Sequence, residues 1–361
     1  MDVREIGGVD GRASWPSLRW LVWCPASSCV AFFGREIRLW MVPPCYSPNE
    51  RGRLECLSPS LPTLLFEKHY LRAHVPKHMV TATLLGTAQD GGRPQAGCQR
   101  PCCNNLAPTE HRFPVSLGVV DEKNNGHLID TTRHLAGQLS IWKHPLLSSI
   151  LLTHAHFGHV DGLGLLGKET MNAKGLDLHV SSSMFQLMEQ TPQWALMLKQ
   201  GVFCERVFKH GDTIVSENGL NIESVNVPHR AELSDMHAFV VRGPNRSLLY
   251  LPDHDDWNST LTRHQSQTIR EWFQRLEVDV ALIDGTFWDA NELPPERQNN
   301  VPHPPVSETL ELLGDRKEGD PEIYFIHLNH TNPLHDETSS AYATVVSMGW
   351  EVAKQGMEFE L

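Results

Sequence analysis

Three histidines fall within six residues in the segment Leu151-Leu-Thr-His154-Ala-His156-Phe-Gly-His159, directly behind an apolar run. Side chains alternate along a strand, so His154 and His156 at a strand end project to one side. His159, in the turn that follows, closes on the same point. Converging imidazoles of this kind suit zinc or iron. A metal held by three histidines, with water in its fourth position, lowers that water's pKa towards about 7 and supplies hydroxide at neutral pH. Hydrolysis is therefore the first chemistry to consider.

Other acids and histidines also close apolar runs. Asp130 ends Gly126-His-Leu-Ile-Asp, and His229 follows Val227-Pro. Asp253 follows Ser247-Leu-Leu-Tyr-Leu-Pro, Asp284 ends Val280-Ala-Leu-Ile-Asp, and His327 lies in Tyr324-Phe-Ile-His-Leu-Asn-His330. Any one of these alone reads as a cap or a solvated terminus. Together with the triple histidine they imply that one edge of the core gathers ligands. A second cluster, Cys98-Gln-Arg-Pro-Cys102-Cys103, is open between a structural zinc site and unliganded thiols. Adjacent cysteines tend to point apart, and a disulfide between Cys102 and Cys103 would be strained. The glycine-rich Leu85-Gly-Thr-Ala-Gln-Asp90-Gly-Gly lacks the Lys-Ser/Thr of a phosphate-binding loop and no clear helix follows it. It reads as a tight turn at the mouth of the site. Trp257 and Trp288, each following an acidic strand end, are candidates for a pocket wall or for buried anchors.

The elements that must position these residues alternate. Strand-like runs are Val80–Leu85, Val115–Val120, His127–Asp130, Ser149–Thr153 and Leu178–Ser181, then a series from Val207 to Leu251, with Val278–Ile283 and Ile323–Leu328 last. Helical patterns cover Leu163–Met171, Ser183–Gln190, Gln193–Gln200 after a break at Pro192, Leu261–Leu276 and Ser307–Leu313. This mixture predicts two sheets with helices packed outside. Residues 1–78, rich in Trp, Pro, Arg and Cys, show no sustained period, so they read as an N-terminal extension before a functional domain over 79–361.

Composition narrows the class. The chain has 361 residues, 40% of them hydrophobic and 20% charged, as in ordinary globular proteins. A net charge of −12 argues against a nucleic-acid partner, which would need a basic face. The apolar stretch Leu21–Phe33 is too short to span a bilayer, so no membrane partner is expected. Eight cysteines, not spaced as a disulfide framework, point to reduced thiols and a cytoplasmic location.

From residue 80 onward the chain resembles the metallo-β-lactamase fold superfamily. Within it, the likeness is to the B protein of pyrroloquinoline quinone (PQQ) biosynthesis. The resemblance is carried by Leu85-Gly-Thr-Ala-Gln-Asp-Gly-Gly-Arg-Pro-Gln-Ala-Gly-Cys98, Thr153-His-Ala-His-Phe-Gly-His-Val-Asp-Gly-Leu163, Tyr250-Leu-Pro-Asp-His-Asp-Asp-Trp257, Asp284-Gly-Thr-Phe-Trp288 and His327-Leu-Asn-His-Thr-Asn-Pro333. It implies an α/β protein, an αββα sandwich with an N-terminal extension. It implies one metal on His154, His156 and His229, with Asp253 bridging to a second position completed by His159 and His327. The superfamily pattern has Asp two residues after the second histidine; here that residue is Gly158. Asp161 nearby reads as a cap for the following helix.

His159, His327 and Asp253 also match the two-histidine, one-carboxylate set of non-haem iron oxygenases. The expected cofactors are thus one or two Zn2+, with Fe2+ as the alternative at the second position. The likened family carries Cys-x-Cys-x-x-Cys around a structural zinc, which implies Cys98 and Cys103 as ligands, Arg100 in place of the middle cysteine, and Cys102 as an extra thiol. The function implied is a metallohydrolase acting on an ester, lactone, lactam or related bond of a small-molecule substrate. Asp253 would orient the hydroxide, and His330 or His303 would protonate the leaving group. The rivals are an iron oxygenase related to the PQQ protein and a metal carrier without turnover. A homodimer is left open as the assembly.

Overall fold

Runs of Val, Ile, Leu and Phe build the inner strands, which have apolar cover on both faces, whereas outer strands such as Phe203–Phe208 and Thr213–Glu217 keep exposed residues. In the computed structural model these strands run in chain order as β1 (Thr81–Gly86), β2 (Ser116–Val120), β3 (Asn125–Ile129), β4 (Leu146–Leu151), β5 (Leu176–Ser181), β6 (Phe203–Phe208), β7 (Thr213–Glu217), β8 (Leu220–Val227), β9 (Met236–Arg242), β10 (Ser247–Leu251), β11 (Val280–Asp284), β12 (Glu322–Ile326), β13 (Glu351–Val352) and β14 (Glu358–Glu360). The structure describes residues 79–361 apart from His144 and Asn299; upstream it describes only the two-residue strands Val22–Trp23, Val30–Ala31, Ser47–Pro48 and Leu54–Glu55. Contacts group the chain into Met1–Ala73 and His74–Leu361, and the architecture that follows is that of the second unit. Apart from those four strands, the extension expected over residues 1–78 lies outside the described residues.

Two seven-stranded sheets form, in the orders β6-β5-β4-β3-β2-β1-β14 and β7-β8-β9-β10-β11-β12-β13. In the first, β1, β2 and β3 pair antiparallel, and β3 to β6 pair parallel. In the second, β7 to β10 pair antiparallel, and β10 to β13 pair parallel. Residues such as Leu84, Leu117, Leu151, Phe239, Tyr250 and Leu282 meet in one buried cluster between the sheets.

The alternate residues face helices. Leu128, Ile150 and Leu178 pack with α1 (Leu135–Ile141), α3 (Ser182–Gln190) and α4 (Pro192–Lys199); α2 (Phe157–Val160) is a single turn after the histidines. Leu249, Ala281 and Phe325 pack with α5 (Trp257–Arg263), α6 (Ile269–Arg275), α8 (Val306–Leu313) and α9 (Ser340–Ser347), while α7 (Pro295–Gln298) lies in a loop. The helix–sheet–sheet–helix layering is the expected αββα sandwich. No helix among the described residues is long and apolar enough to cross a membrane.

The strand directions decide where the site lies. β1, β3 and β4 run one way in the first sheet, and β8, β10, β11 and β12 share a direction in the second. Their C-terminal ends deliver Asp90, Asp130, His154, His229, Asp253, Asp284 and His327. Ligands in open α/β sheets commonly gather at carboxyl ends of strands. Asp130 (φ 63°) and His327 (φ 60°) both adopt the left-handed conformation, uncommon for non-glycine residues, just where their strands stop.

Several expected elements differ. The helix read over Leu261–Leu276 is two, α5 and α6. Asp256 accepts from Ser259 N to cap the first, and Thr268 accepts from Glu271 N to cap the second, so the chain restarts its hydrogen bonding between them. The helix read over Leu163–Met171 is only a 3-10 turn, Leu163–Leu166, in a stretch that also holds Gly162, Gly164 and Gly167. Asp161 caps no helix by its side chain; it pairs with Arg133 at 2.7 Å. Trp257 is a core anchor, 1% exposed, with Nε1 donating to Thr309 Oγ1 at 2.8 Å. Trp288 packs, half-buried, on the same core.

Gly86 ends β1 under a tight constraint: a Cβ there would lie 2.0 Å from the Pro114 carbonyl oxygen and 2.6 Å from that of Phe113. Neither backbone atom can retreat cheaply. Gly86→Ala is expected to destabilise the domain by about 1–3 kcal/mol in a denaturant titration, and unchanged stability would show that the close approach is not maintained in solution.

Candidate metal centre

β4 stops at Leu151, and the extended segment after it places His154 and His156 side by side, with His154 Nε2 2.8 Å from His156 Nδ1. His229, arriving from the end of β8, sets its ring centroid 5.3 Å from that of His154 and 5.0 Å from that of His156. One donor atom from each of the three lies within 4.8 Å of the others.

A second group stands beside the first. His159 Nε2 and His327 Nε2 lie 3.4 and 3.5 Å from Asp90 Oδ1. Asp253 sits between the two groups. Its Oδ2 is 3.1 Å from His159 Nε2, and its Oδ1 is 3.4 Å from His327 Nε2 and 3.7 Å from His229 Nε2. The structure thus brings together all six residues read as ligands, namely His154, His156, His159, His229, Asp253 and His327. It adds Asp90, which the sequence reading placed only in a turn. The available signal was an acid in a glycine-rich loop together with the missing acid at position 158.

These atoms fit metal ions. His159 Nε2, His327 Nε2, both ring nitrogens of His229 and Asp253 Oδ2 are buried without a hydrogen-bond partner. Leaving a buried polar atom unpaired costs about 1–3 kcal/mol, so a cluster of such atoms in one place calls for a ligand. The opposite ring nitrogens are fixed from behind. His159 donates from Nδ1 to Asp130 Oδ2 at 2.7 Å. His154 donates from Nδ1 to Thr153 Oγ1 at 3.0 Å, and that hydroxyl donates on to Asp130 at 2.9 Å. His327 donates from Nδ1 to Thr286 Oγ1 at 2.8 Å, and Thr286 donates on to Asp284 at 2.7 Å. Such support fixes the tautomer that leaves Nε2 free to ligate.

The family described as "Beta-lactamase superfamily domain" matches residues 127–328, more than half of the chain. The chain belongs to the beta-lactamase superfamily. It is similar to coenzyme PQQ synthesis protein B of Xanthomonas oryzae pv. oryzae, with 24% identity over 304 residues, covering 77% of this chain and 99% of the relative. Among solved structures it is similar to Zn2+-bound PqqB from Methylobacterium extorquens, with TM-score 0.59 and 19% identity over 78% of this chain and 100% of that one. It is also similar to a diphosphatase from the PhnP family, with TM-score 0.56 and 18% identity over 79% of this chain and 98% of that one. At these identities the structural likeness speaks for the fold. The expected fold and the likeness to PqqB are both borne out.

Within this superfamily member, electrostatics separate the two donor groups. Burial and the neighbouring His159 push His154 well below the ordinary histidine range, and burial brings His156 down to about 4. Both are neutral at pH 7. Burial also acts to lower His159 and His327. For His159 it is outweighed by Asp130 and Asp253, for His327 chiefly by Asp253, and both are raised. Asp253 is pushed up by burial but held well below the carboxylate range by His327 and His159, so it stays ionised.

Asp284 is engaged by hydrogen bonds within the protein. It accepts from His303 Nδ1 at 2.7 Å and from the His254 amide at 3.2 Å. His303 is thereby held with its ring centroid 5.2 Å from His229 and 5.6 Å from His327, spanning both donor groups. His330, read as an alternative proton donor, stands elsewhere. Its Nδ1 is 3.2 Å from Cys103 Sγ and 3.5 Å from Cys102 Sγ, and Cys98 Sγ is 3.9 Å from Cys102 Sγ. The three thiols and this imidazole form a compact four-donor group suited to zinc. The adjacent Cys102 and Cys103 converge because a turn closed by Cys103 N donating to Arg100 O carries them.

Asp130→Asn removes the charge behind His159 and is expected to weaken metal binding in the centre about 10- to 100-fold, measured by competition with a chromophoric chelator. Because His159 and His327 hold protons more tightly than free imidazole, they must release them to ligate. Affinity at their position is therefore expected to fall as pH is lowered through neutrality.

Proposed function

We propose that this chain is a metal-dependent hydrolase that adds water across an ester, lactone, lactam or related small-molecule bond. The observation that carries the reading is the position of Asp253, one ionised carboxylate set between two donor groups, with His303 alongside both. Metal ions bound there would polarise the scissile group and lower the pKa of water. Asp253 is placed to take a hydrogen bond from the attacking water and to fix its direction. His303, pinned at Nδ1 by Asp284, is positioned to pass a proton to the leaving group.

A cleft of about 640 Å³ is lined by Gln89, Arg100, Phe287 and Asn329, and also by Cys98 and His330 of the four-donor group; it reaches the centre only through neighbours of its residues. Gln89 directly precedes Asp90, and Phe287 meets His303 edge-on at 5.9 Å. Its size suits a small molecule. The oxygenase reading, drawn from the PQQ synthesis relatives, rests on a two-histidine, one-carboxylate site. Here the corresponding position has Asp90 as well as Asp253 and adjoins a three-histidine group, a set that favours paired ions for hydrolysis. A carrier would bind metal with the same donors and hydrolyse none of the substrate classes below.

Zinc-loaded protein assayed against esters, lactones, lactams and phosphodiesters is expected to hydrolyse one of these classes. His303→Asn is expected to lower kcat by about 100- to 10,000-fold while KM and metal content stay close to wild type. Oxygen uptake by the iron-loaded protein, with no hydrolysis of any class, would replace this reading with the oxygenase.

A further inference from the structure

The segment His154-Ala-His156-Phe-Gly158-His159 brings no acid to the centre, yet the space where a side chain at 158 would begin is filled. A Cβ on Gly158 would lie 2.3 Å from Asp90 Oδ1, 2.5 Å from Asp90 Cα and 2.6 Å from Asp90 Cγ. Asp90, from a loop more than sixty residues upstream, occupies that volume with both backbone and carboxylate. Gly158 has an ordinary helical backbone in α2, so the obstacle to a side chain there is Asp90 itself.

The loop is held in this place. Ala88 forms bridges to both Pro114 and Leu328, Gln89 N donates to Leu328 O at 2.9 Å, and Leu328 N donates to Thr87 O at 2.9 Å. Asp90 and His327 therefore ride on two hydrogen-bonded segments. The atoms that Asp90 Oδ1 faces, His159 Nε2 and His327 Nε2, belong to side chains only 1% exposed and have no hydrogen-bond partner.

We propose that Asp90 is a metal ligand of the second position, delivered by the β1 loop in place of an acid at 158, and that Gly158 is the vacancy that admits it. The two positions exclude each other: the chain can hold the Asp90 carboxylate or a side chain at 158, but not both undisturbed. This rests on the centre binding metal and is independent of which bond is hydrolysed.

Zinc per chain, measured by elemental analysis after dialysis of the full-length protein, tests it without any substrate. Asp90→Asn, nearly isosteric, is expected to bind one zinc fewer than wild type, and Gly158→Ala to show the same loss with the native acid still present. The double variant Asp90→Gly/Gly158→Asp is expected to regain the lost ion, an outcome that a purely structural role for Asp90 would not produce. Circular dichroism checks that each variant is folded, and Asp90→Asn decides the matter if the double variant does not fold. Wild-type zinc content in Asp90→Asn, or a folded double variant still one ion short, would overturn the proposal while leaving hydrolysis at the first position untouched. Absence of hydrolysis in the wild type would leave the zinc count, and hence this proposal, standing.

Discussion

The Asp130 carboxylate, fully buried where the first sheet ends, ties the centre to both sheets. It accepts from Thr153 N at 3.0 Å, from Thr153 Oγ1, from His159 Nδ1, and from the Tyr250 hydroxyl of the opposite sheet at 3.3 Å. A buried charge without partners would be prohibitive. Four donors make it tolerable, and each donor is thereby placed. His159 is aimed directly and His154 through Thr153, so the geometry of the histidine segment follows from the solvation of one carboxylate.

Asp284 plays the matching part in the second sheet. It draws in His303, Thr286 and the His254 amide, and through Thr286 it orients His327. Each sheet therefore ends in a buried acid surrounded by hydroxyl and imidazole donors. The nitrogen atoms left over face one another across the seam with Asp253 between them. Polar networks of this kind are stable when every member is satisfied, and the unpaired Nε2 atoms are the ones on the ligand side. The left-handed backbone of Asp130 and His327 shows the local strain at which these side chains are turned into the seam.

Much of this was legible in residue order. Apolar runs located the inner strands because both faces of those strands are covered, and polar residues at the ends of those runs marked the ligand edge. Helix breaks were harder. Leu261–Leu276 reads as one amphipathic helix although residues 262–268 carry no apolar side chain, and that polar gap with the capping side chains Asp256 and Thr268 shows where hydrogen bonding restarts. His330 reads as a candidate proton donor neighbouring His327. Just past the end of β12, however, the chain turns, so one histidine reaches the seam and the other reaches the thiols.

Short-range chemistry was thus decided by the chain itself. Six residues of sequence just past a strand end keep His154, His156 and His159 close together, and Asp130 then aims His154 and His159. The place of Asp90 was decided only by tertiary structure. Its loop is far from the histidines in sequence, and no local periodicity encodes the pairing of Ala88 with Pro114 and Leu328 that carries it to Gly158. Residue order shows an acid missing at 158. That another acid fills the same space is a matter of excluded volume, and excluded volume exists only once the sheets have closed.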